Sequence, residues 1–460
     1  MALLKSISGI RGTIGGVTGE NLTPLDIVRF AAAYGTWLLE TSPKPRVVVG
    51  RDGRISGQMV QELVVQTLLG LGIHVIDAGL STTPTVEMAV VWEKADGGII
   101  ITASHNPGEW NALKLLNRQG EFIDAATGNR LLEIAEAENF QFASVDQLGT
   151  CKAGAQYFER HIQAVVNYPL VNVPQIRKKQ YRVVVDVINS TGALVIPQLL
   201  KALGAEEVIV LHGEVTGKFA HLPEPLPENL QALSQAVVHE KADFGIAVDP
   251  DVDRLCFVCE DGSMFGEEFT LVAVADYVLS KRLGNTVSNL SSTKALREIT
   301  LQRGGQYFPS SVGEVNVVSR MKEVQAVIGG EGNGGIIVPD LHYGRDALIG
   351  IGLFCTAFSA HDKSLRAFRK QYPDYHITKN KIALNPGWDV AALLSQVRKK
   401  YPQWPVNTED GLRIEFEEGW VHLRPSNTEP IIRIYAESAS AKEADQLAGQ
   451  LMQDLRDFVS

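Results

Sequence analysis

Short apolar runs of strand length alternate with helical periodicity along most of the chain, which predicts layered α/β domains. One series starts with RVVVGRD at Arg46, continues through a helical stretch with apolar positions from Val60 to Leu71 and a strand IHVIDAG, and closes on ADGGIIITASHNP. A second starts with RVVVDV at Arg182 and runs through the helical ALVIPQLLKALGA and the strand EVIVLHG to ADFGIAVDPDVDR. The two align strand for strand and predict two copies of one unit. A weaker third copy is expected from about Thr270 to AVIGGEGNGG, ending at Gly335. In each copy a polar loop follows the carboxyl end of a strand, where open α/β sheets bind ligands. From about Tyr372 the pattern changes to KIALNPGW, a helix near Val390 to Lys400, short strands LRIEF, GWVHLRPS and PIIRIYAES, and an amphipathic helix from Ala441. The chain therefore reads as α/β, with three repeated α/β/α layered domains and a smaller C-terminal α+β domain. The expected boundaries are 1–150, 151–258, 259–371 and 372–460.

Length agrees, since 460 residues exceed what one core organises. A formal net charge of -10 speaks against a sequence-independent nucleic-acid binder, which needs a basic surface. The chain also lacks a run near the ~20 apolar residues that span a bilayer. No nucleic acid and no membrane are expected as partners. Cys151, Cys256, Cys259 and Cys355 make no disulfide framework, and the opening MALLKSISGIRG holds no apolar signal segment, so a reducing, cytoplasmic setting is expected. Cys256 and Cys259 form a CxxC pair, but inside the apolar run LCFVC and without a second pair, which predicts a core strand.

The candidate chemistry lies in loops. Thr102-Ala103-Ser104-His105-Asn106-Pro107 follows the strand GIII and precedes the stretch Glu109 to Lys114. A serine at a strand end can act as nucleophile or phosphate carrier, although Ser-His-Asn-Pro is equally good turn chemistry. In Asp249-Pro250-Asp251-Val252-Asp253-Arg254, three carboxylates at alternate positions would repel unless a cation offsets them, and hard oxygen ligands suit Mg²⁺. The same loop fits the start of a haloacid-dehalogenase-like phosphatase, in which Asp249 would be the nucleophile and Ser104 would go unused. Gly329 to Gly335 is glycine-rich without the ending of a P-loop. Its backbone can approach a ligand, and Glu331 and Asn333 can hydrogen-bond sugar hydroxyls. Arg424-Pro425-Ser426-Asn427-Thr428-Glu429-Pro430, followed by Arg433, collects guanidiniums, hydroxyls, an amide and turn N–H groups that match a phosphate dianion. Ser8-Gly9-Ile10-Arg11-Gly12 adds an arginine on a glycine-flanked turn.

Taken together, TASHNP with Asn111 and Lys114, DPDVDR, GGEGNGG and RPSNTEP stand in the loop order of the α-D-phosphohexomutase superfamily, and the chain resembles that family over essentially its whole length. The family includes phosphoglucomutases, phosphomannomutases and phosphoglucosamine mutases. The resemblance implies four domains around a central cleft and an isomerase that interconverts hexose 1-phosphate and 6-phosphate through a phosphoserine and a bisphosphate. It implies that Ser104 carries the phosphoryl group and that Asp249, Asp251 and Asp253 hold one Mg²⁺ together with an oxygen on Ser104. By the same match Arg11, Lys114, His105 and Arg254 are catalytic, Lys114 as a candidate general base. Glu331 and Asn333 would grip the sugar, while Arg424, Ser426, Asn427, Thr428 and Arg433 would hold the phosphate that is not reacting. The expected partners are a small phosphosugar and a hexose 1,6-bisphosphate primer, and the expected assembly is a monomer or homodimer. The Glu-x-Asn-Gly-Gly form, continuing to Gly344-Arg345-Asp346, is similar to archaeal-type members and favours phosphoglucosamine mutase over phosphomannomutase/phosphoglucomutase. A phosphatase and a non-catalytic phosphosugar-binding protein are the alternatives of other classes.

Overall fold

The computed structural model describes residues 3–6, 9–385, 388–426 and 431–458. The first domain opens with β1 (Leu4–Ser6), β2 (Gly9–Thr13) and α1 (Pro24–Leu39). Then follow β3 (Arg46–Arg51), α2 (Gly57–Gly70), β4 (His74–Leu80), α3 (Thr83–Trp92), β5 (Gly97–Ile101) and β6 (Trp110–Leu116). It ends with α4 (Ala125–Ala137) and β7 (Cys151–Ala153), which lies just past the expected boundary at 150 and pairs in parallel with β4. The seven strands run in the order β1-β2-β6-β5-β3-β4-β7. In β3, Val47, Val48 and Val49 are all buried, so the apolar run is continuous rather than alternating, as in a parallel sheet covered on both faces. Thr23 and Asp26 close a capping box at the start of α1, with Pro24 at its first position.

The second domain comprises α5 (Tyr157–Val166), α6 (Val173–Arg177), β8 (Arg182–Asp186), α7 (Gly192–Leu203), β9 (Glu207–Leu211), α8 (Gln231–His239), β10 (Phe244–Val248) and β11 (Leu255–Cys259). The third begins with α9 (Glu267–Lys281), β12 (Asn285–Asn289), α10 (Ala295–Gln302) and β13 (Tyr307–Ser310). It continues through α11 (Glu314–Glu323), β14 (Ala326–Glu331), β15 (Gly335–Ile337), α12 (Ala347–Ser359) and α13 (Leu365–Arg369). Their sheets have the orders β11-β10-β8-β9 and β13-β12-β14-β15. The same unit is present three times: a strand, a parallel neighbour on one side, a third parallel strand on the other, and an antiparallel fourth beyond it. The loops between third and fourth strands, at 102–109, 249–254 and 332–334, are therefore equivalent positions. Gly98, Gly245 and Gly329 repeat as well, each letting the preceding helix close on the sheet. A Cβ there would fall 2.7 Å from Val90, 2.7 Å from Val237 and 2.5 Å from Met321.

The third copy starts later than its pattern suggested. Thr270 lies in α9, and the first strand begins at Asn285. The strand NTVSN lacks an apolar signature, being polar although largely buried. Cys256 and Cys259 lie buried in β11 as a core strand, and their three-residue spacing turns them to opposite faces.

The C-terminal domain has β16 (His376–Ala383), α14 (Val390–Lys400), β17 (Val406–Asn407), β18 (Leu412–Glu415), β19 (Gly419–Pro425), β20 (Ile431–Ser438) and α15 (Ala441–Asp457). Its antiparallel sheet, ordered β16-β20-β19-β18-β17, shares a core with Leu393 and Val397 of α14 and Leu451 of α15. No helix among the described residues is long and apolar enough to cross a membrane.

The second and third domains share one core, because α12 is buried on all sides. Phe354 of that helix stacks on Phe257 of β11 with ring centroids 3.7 Å apart and packs edge-on against Phe265. Phe354→Ala should lower the unfolding free energy by about 3–5 kcal/mol, read from urea denaturation. A loss below about 1 kcal/mol would mean that this contact does not hold the two domains together.

Candidate active site

The loops from the first two domains meet. Ser104 is 2% exposed and adopts φ +50°, and its Oγ donates to Asp249 Oδ2 at 2.7 Å. Its amide donates to Thr102 Oγ1, and Thr102 in turn donates to Asp52 Oδ2. In the partner loop Val252 adopts φ +62°, an outlier for a β-branched residue. This turn brings one oxygen of each of Asp249, Asp251 and Asp253 within 4.8 Å of the others, all three side chains being fully buried. Asp249 Oδ1 accepts from the amides of Asp253 and Arg254, each at 3.1 Å. Such strained residues persist where surrounding contacts hold them, here in the two loops that meet.

Every domain of the repeat offsets this negative charge. Lys114 Nζ lies 2.7 Å from Asp251 Oδ2 and 3.3 Å from Asp253 Oδ2. Thr83 Oγ1 donates to Asp251 Oδ2 at 2.6 Å. Arg345, from the segment before α12, reaches Asp253 Oδ2 at 2.6 Å, Glu331 Oε2 at 2.7 Å and Glu314 Oε2 at 2.9 Å. Arg254 pairs with Glu224 Oε1 at 2.9 Å, and its other nitrogen lies 3.5 Å from His105 Nε2.

These contacts set the proton affinities. Burial, then Asp253 and Asp251, push Asp249 well above the usual carboxylate range. Against the cost of burial, Lys114 and its hydrogen bond hold Asp251 low, and Arg345 does the same for Asp253. Burial would lower Lys114, but Asp251 and Asp253 outweigh it and raise the ammonium. That favours the charged form, whereas the expected general base would have to be neutral. Burial, Arg254 and Arg11 drive His105 well below its ordinary value, leaving a neutral ring with Nδ1 3.4 Å from Ser104 Oγ. Burial, Arg254 and Arg54 bring Arg11 down to about 10, still charged near neutrality.

Of the residues anticipated from the sequence, Ser104, His105, Lys114, Asp249, Asp251, Asp253 and Arg254 come together here. Arg11 Nη1 donates to Asn106 Oδ1 at 2.7 Å, next to the serine. Glu331 is buried, its carboxylate accepting from Arg345, from Asn289 at 2.8 Å and from the Gly313 amide at 3.0 Å. Asn333 Oδ1 holds the Gly335 amide at 3.1 Å. Arg424 and Arg433 face each other across β19 and β20, and Arg424 Nε lies 2.7 Å from Asp410 Oδ2. Ser426 adjoins them, its amide donating to Ile431 O at 2.9 Å. Asn427 and Thr428 lie outside the described residues.

Sequence reasoning missed two arginines. Arg54 is 1% exposed and spends all five N–H donors on Asp52 and the carbonyls of Ser104, Asn106, Pro107 and Trp110. It shapes the serine loop. The signal was present in Arg51-Asp52-Gly53-Arg54, charges set directly after an apolar strand at a ligand-binding sheet edge. Arg345 stands in Gly344-Arg345-Asp346, and nothing in its local sequence says that it reaches Asp253, Glu331 and Glu314.

The chain matches the three phosphoglucomutase/phosphomannomutase alpha/beta/alpha domain families over residues 3–142, 159–262 and 267–375, and the C-terminal domain family over 381–453. It is 35% identical over 440 residues to a phosphoglucomutase/phosphomannomutase of Thermococcus kodakarensis, covering 94% of this chain and 95% of that one. It is 30% identical to a phosphoglucosamine/phosphogalactosamine mutase of Sulfurisphaera tokodaii, with 98% of each chain covered. A crystal structure of a phosphoglucomutase/phosphomannomutase family protein from Burkholderia thailandensis superposes with a TM-score of 0.85 at 25% identity, covering 98% of this chain and 96% of that one. With all four domain families in order and relatives that span nearly its full length, the chain belongs to the α-D-phosphohexomutase superfamily and is a phosphohexomutase, an isomerase.

Proposed function

We propose that this phosphohexomutase acts on glucosamine phosphate through a phosphorylated Ser104, with Mg²⁺ at the Asp249 loop and a hexose 1,6-bisphosphate as primer. The observation that carries the reading is the 2.7 Å contact between Ser104 Oγ and Asp249, which joins a phosphate carrier to an acidic triplet. Asp251 Oδ1 and Asp253 Oδ1 are buried without a hydrogen-bond partner among the described residues, and three crowded carboxylates favour a cation. Asp249, Asp251 and Asp253 would hold the ion, which supplies positive charge next to the transferring phosphoryl group.

Ser104 gives its phosphoryl group to the free hydroxyl of a hexose 1- or 6-phosphate. The P–O bond to Oγ breaks as one to the sugar oxygen forms, the proton of that hydroxyl ends on Oγ, and the other phosphate later returns to Oγ by the reverse step. Arg11, Arg254 and the Lys114 ammonium neutralise charge that spreads over the transferring oxygens. His105, held neutral, lies next to Ser104 and can hydrogen-bond the oxygen that gains or loses the phosphoryl group. Arg424 and Arg433 hold the phosphate at rest, joined by Ser426 and by Asn427 and Thr428 of the same loop. Asp249 already accepts from Ser104 and two amides, which leaves it poorly placed as the nucleophile of a phosphatase.

For the sugar, Glu331 uses three of about four acceptor positions, leaving one for a ring substituent, together with the amide of Asn333. An ammonium at C2 would make a charge-assisted bond there, about 1.5–3 kcal/mol better than a loss of contact. Relatives named as phosphoglucosamine mutases support this choice, while the 35% identical relative from Thermococcus kodakarensis favours glucose and mannose phosphates as the second reading.

Ser104→Ala should reduce turnover by about 10⁴- to 10⁶-fold and remove phosphoserine from the mass spectrum. Full turnover in that variant would end the phosphoserine reading. Chelation should abolish activity and added Mg²⁺ should restore it. Activity that survives exhaustive chelation would exclude the metal. Initial rates on glucosamine, mannose and glucose phosphates, compared side by side, should favour glucosamine at least tenfold in kcat/KM, and equal or reversed rates would move the assignment to phosphomannomutase/phosphoglucomutase.

A further inference from the structure

A second convergence of ligating side chains lies in the second domain, apart from the Asp249 loop. Asp186 ends β8, and His212 directly follows β9, its parallel neighbour, in which Leu211 pairs with Asp186. His221 arrives from the segment that follows. His212 Nδ1 is 3.0 Å from Asp186 Oδ1, and His221 Nε2 is 3.0 Å from Asp186 Oδ2. The three residues offer ligand atoms that all lie within 4.8 Å of one another. His221 Nδ1 lies 2.8 Å from the Leu222 carbonyl, which can only accept, so that nitrogen carries the hydrogen. With Nδ1 protonated, Nε2 meets the carboxylate either through a second proton or through a cation held between them. A backbone carbonyl on the remote nitrogen is also the usual outer partner of a metal-bound histidine. Asp186 is 1% exposed, while His212 and His221 are 25% and 18% exposed, so the group is anchored yet reachable from solvent.

The backbone around it is strained. Ile188, Asn189 and His212 adopt φ of +47°, +53° and +53°, and Ile188 is β-branched. Asn189 holds this geometry, its amide donating to His212 O at 2.8 Å and its side chain accepting from the Ala220 amide at 3.2 Å. Strain gathered around one His-His-Asp cluster is a mark of a site whose shape is maintained for use.

We infer that Asp186, His212 and His221 bind a divalent transition-metal ion, zinc foremost, as a structural site at the junction of the first two domains. Two imidazoles and a carboxylate suit zinc, whereas the all-oxygen Asp249 loop suits Mg²⁺. The ion fastens the segment Gly213 to Ala220, which grips the first domain. Phe219 lies under the Arg54 guanidinium, 5.0 Å from its ring centre. Gly217 sits so close to the same loop that a Cβ would fall 2.1 Å from Gly53 O. Because Arg54 shapes the Ser104 loop, the ion steadies that loop from outside the reaction.

The test uses chelator-treated full-length protein in excess Mg²⁺, titrated with Zn²⁺ alone and then gel-filtered. Wild type should retain about one zinc per chain, show imidazole nitrogens by X-ray absorption, and gain melting temperature. The double variant His212→Gln/His221→Gln should lose the zinc and the gain, while Asp251→Asn should keep both. Absence of retained zinc in wild type, equal retention by the histidine variant, or a zinc shell without imidazole would each overturn the assignment. The absorption measurement needs wild type only, so it stands even where a variant folds poorly.

Discussion

Three buried carboxylates in one turn are the constraint on which the rest of the structure depends. Asp249, Asp251 and Asp253 are each fully shielded from solvent, and unpaired buried charge is costly enough that every neighbouring element is drawn into offsetting it. The first domain contributes Lys114, Thr83 and the Ser104 hydroxyl, the second its own Arg254, and the third Arg345. The charge problem of one loop thereby becomes the assembly of three domains.

The repeat explains how the chemistry is divided. One topological position, the turn between a third parallel strand and an antiparallel fourth, carries the serine in the first unit, the acidic triplet in the second and the glycine-rich loop in the third. Equivalent sheet edges thus face one another with different side chains. Function here is distributed by loop content on a common scaffold.

Two buried arginines convert this arrangement into rigid geometry. Arg54 holds the serine loop by its carbonyls, and Arg345 ties Asp253 to Glu331 and Glu314, so the acidic loop and the glycine-rich loop share one guanidinium. The C-terminal domain joins the same chain of contacts through Asp410, which meets Arg424 and accepts from the Val312 amide at 2.9 Å, one residue before the Gly313 amide that binds Glu331. Arg424 and Glu331 are thereby coupled by hydrogen bonds rather than by proximity alone.

The amino-acid sequence by itself determined the layered α/β class and the three repeats, with only the start of the third set too early, because strand and helix periodicity and turn residues are local properties. It also placed Cys256 and Cys259 in a core strand. The polar strand Asn285–Asn289 was hidden, since its burial comes from neighbours rather than from its own composition. Tertiary structure alone decided what Arg54 and Arg345 do, since their partners lie as far as 92 residues away in the chain. It likewise raised the proton affinity of Lys114, because only the fold sets two carboxylates beside it. Charge and proton affinity depend on distance through space, and residue order carries that distance only within a turn or two.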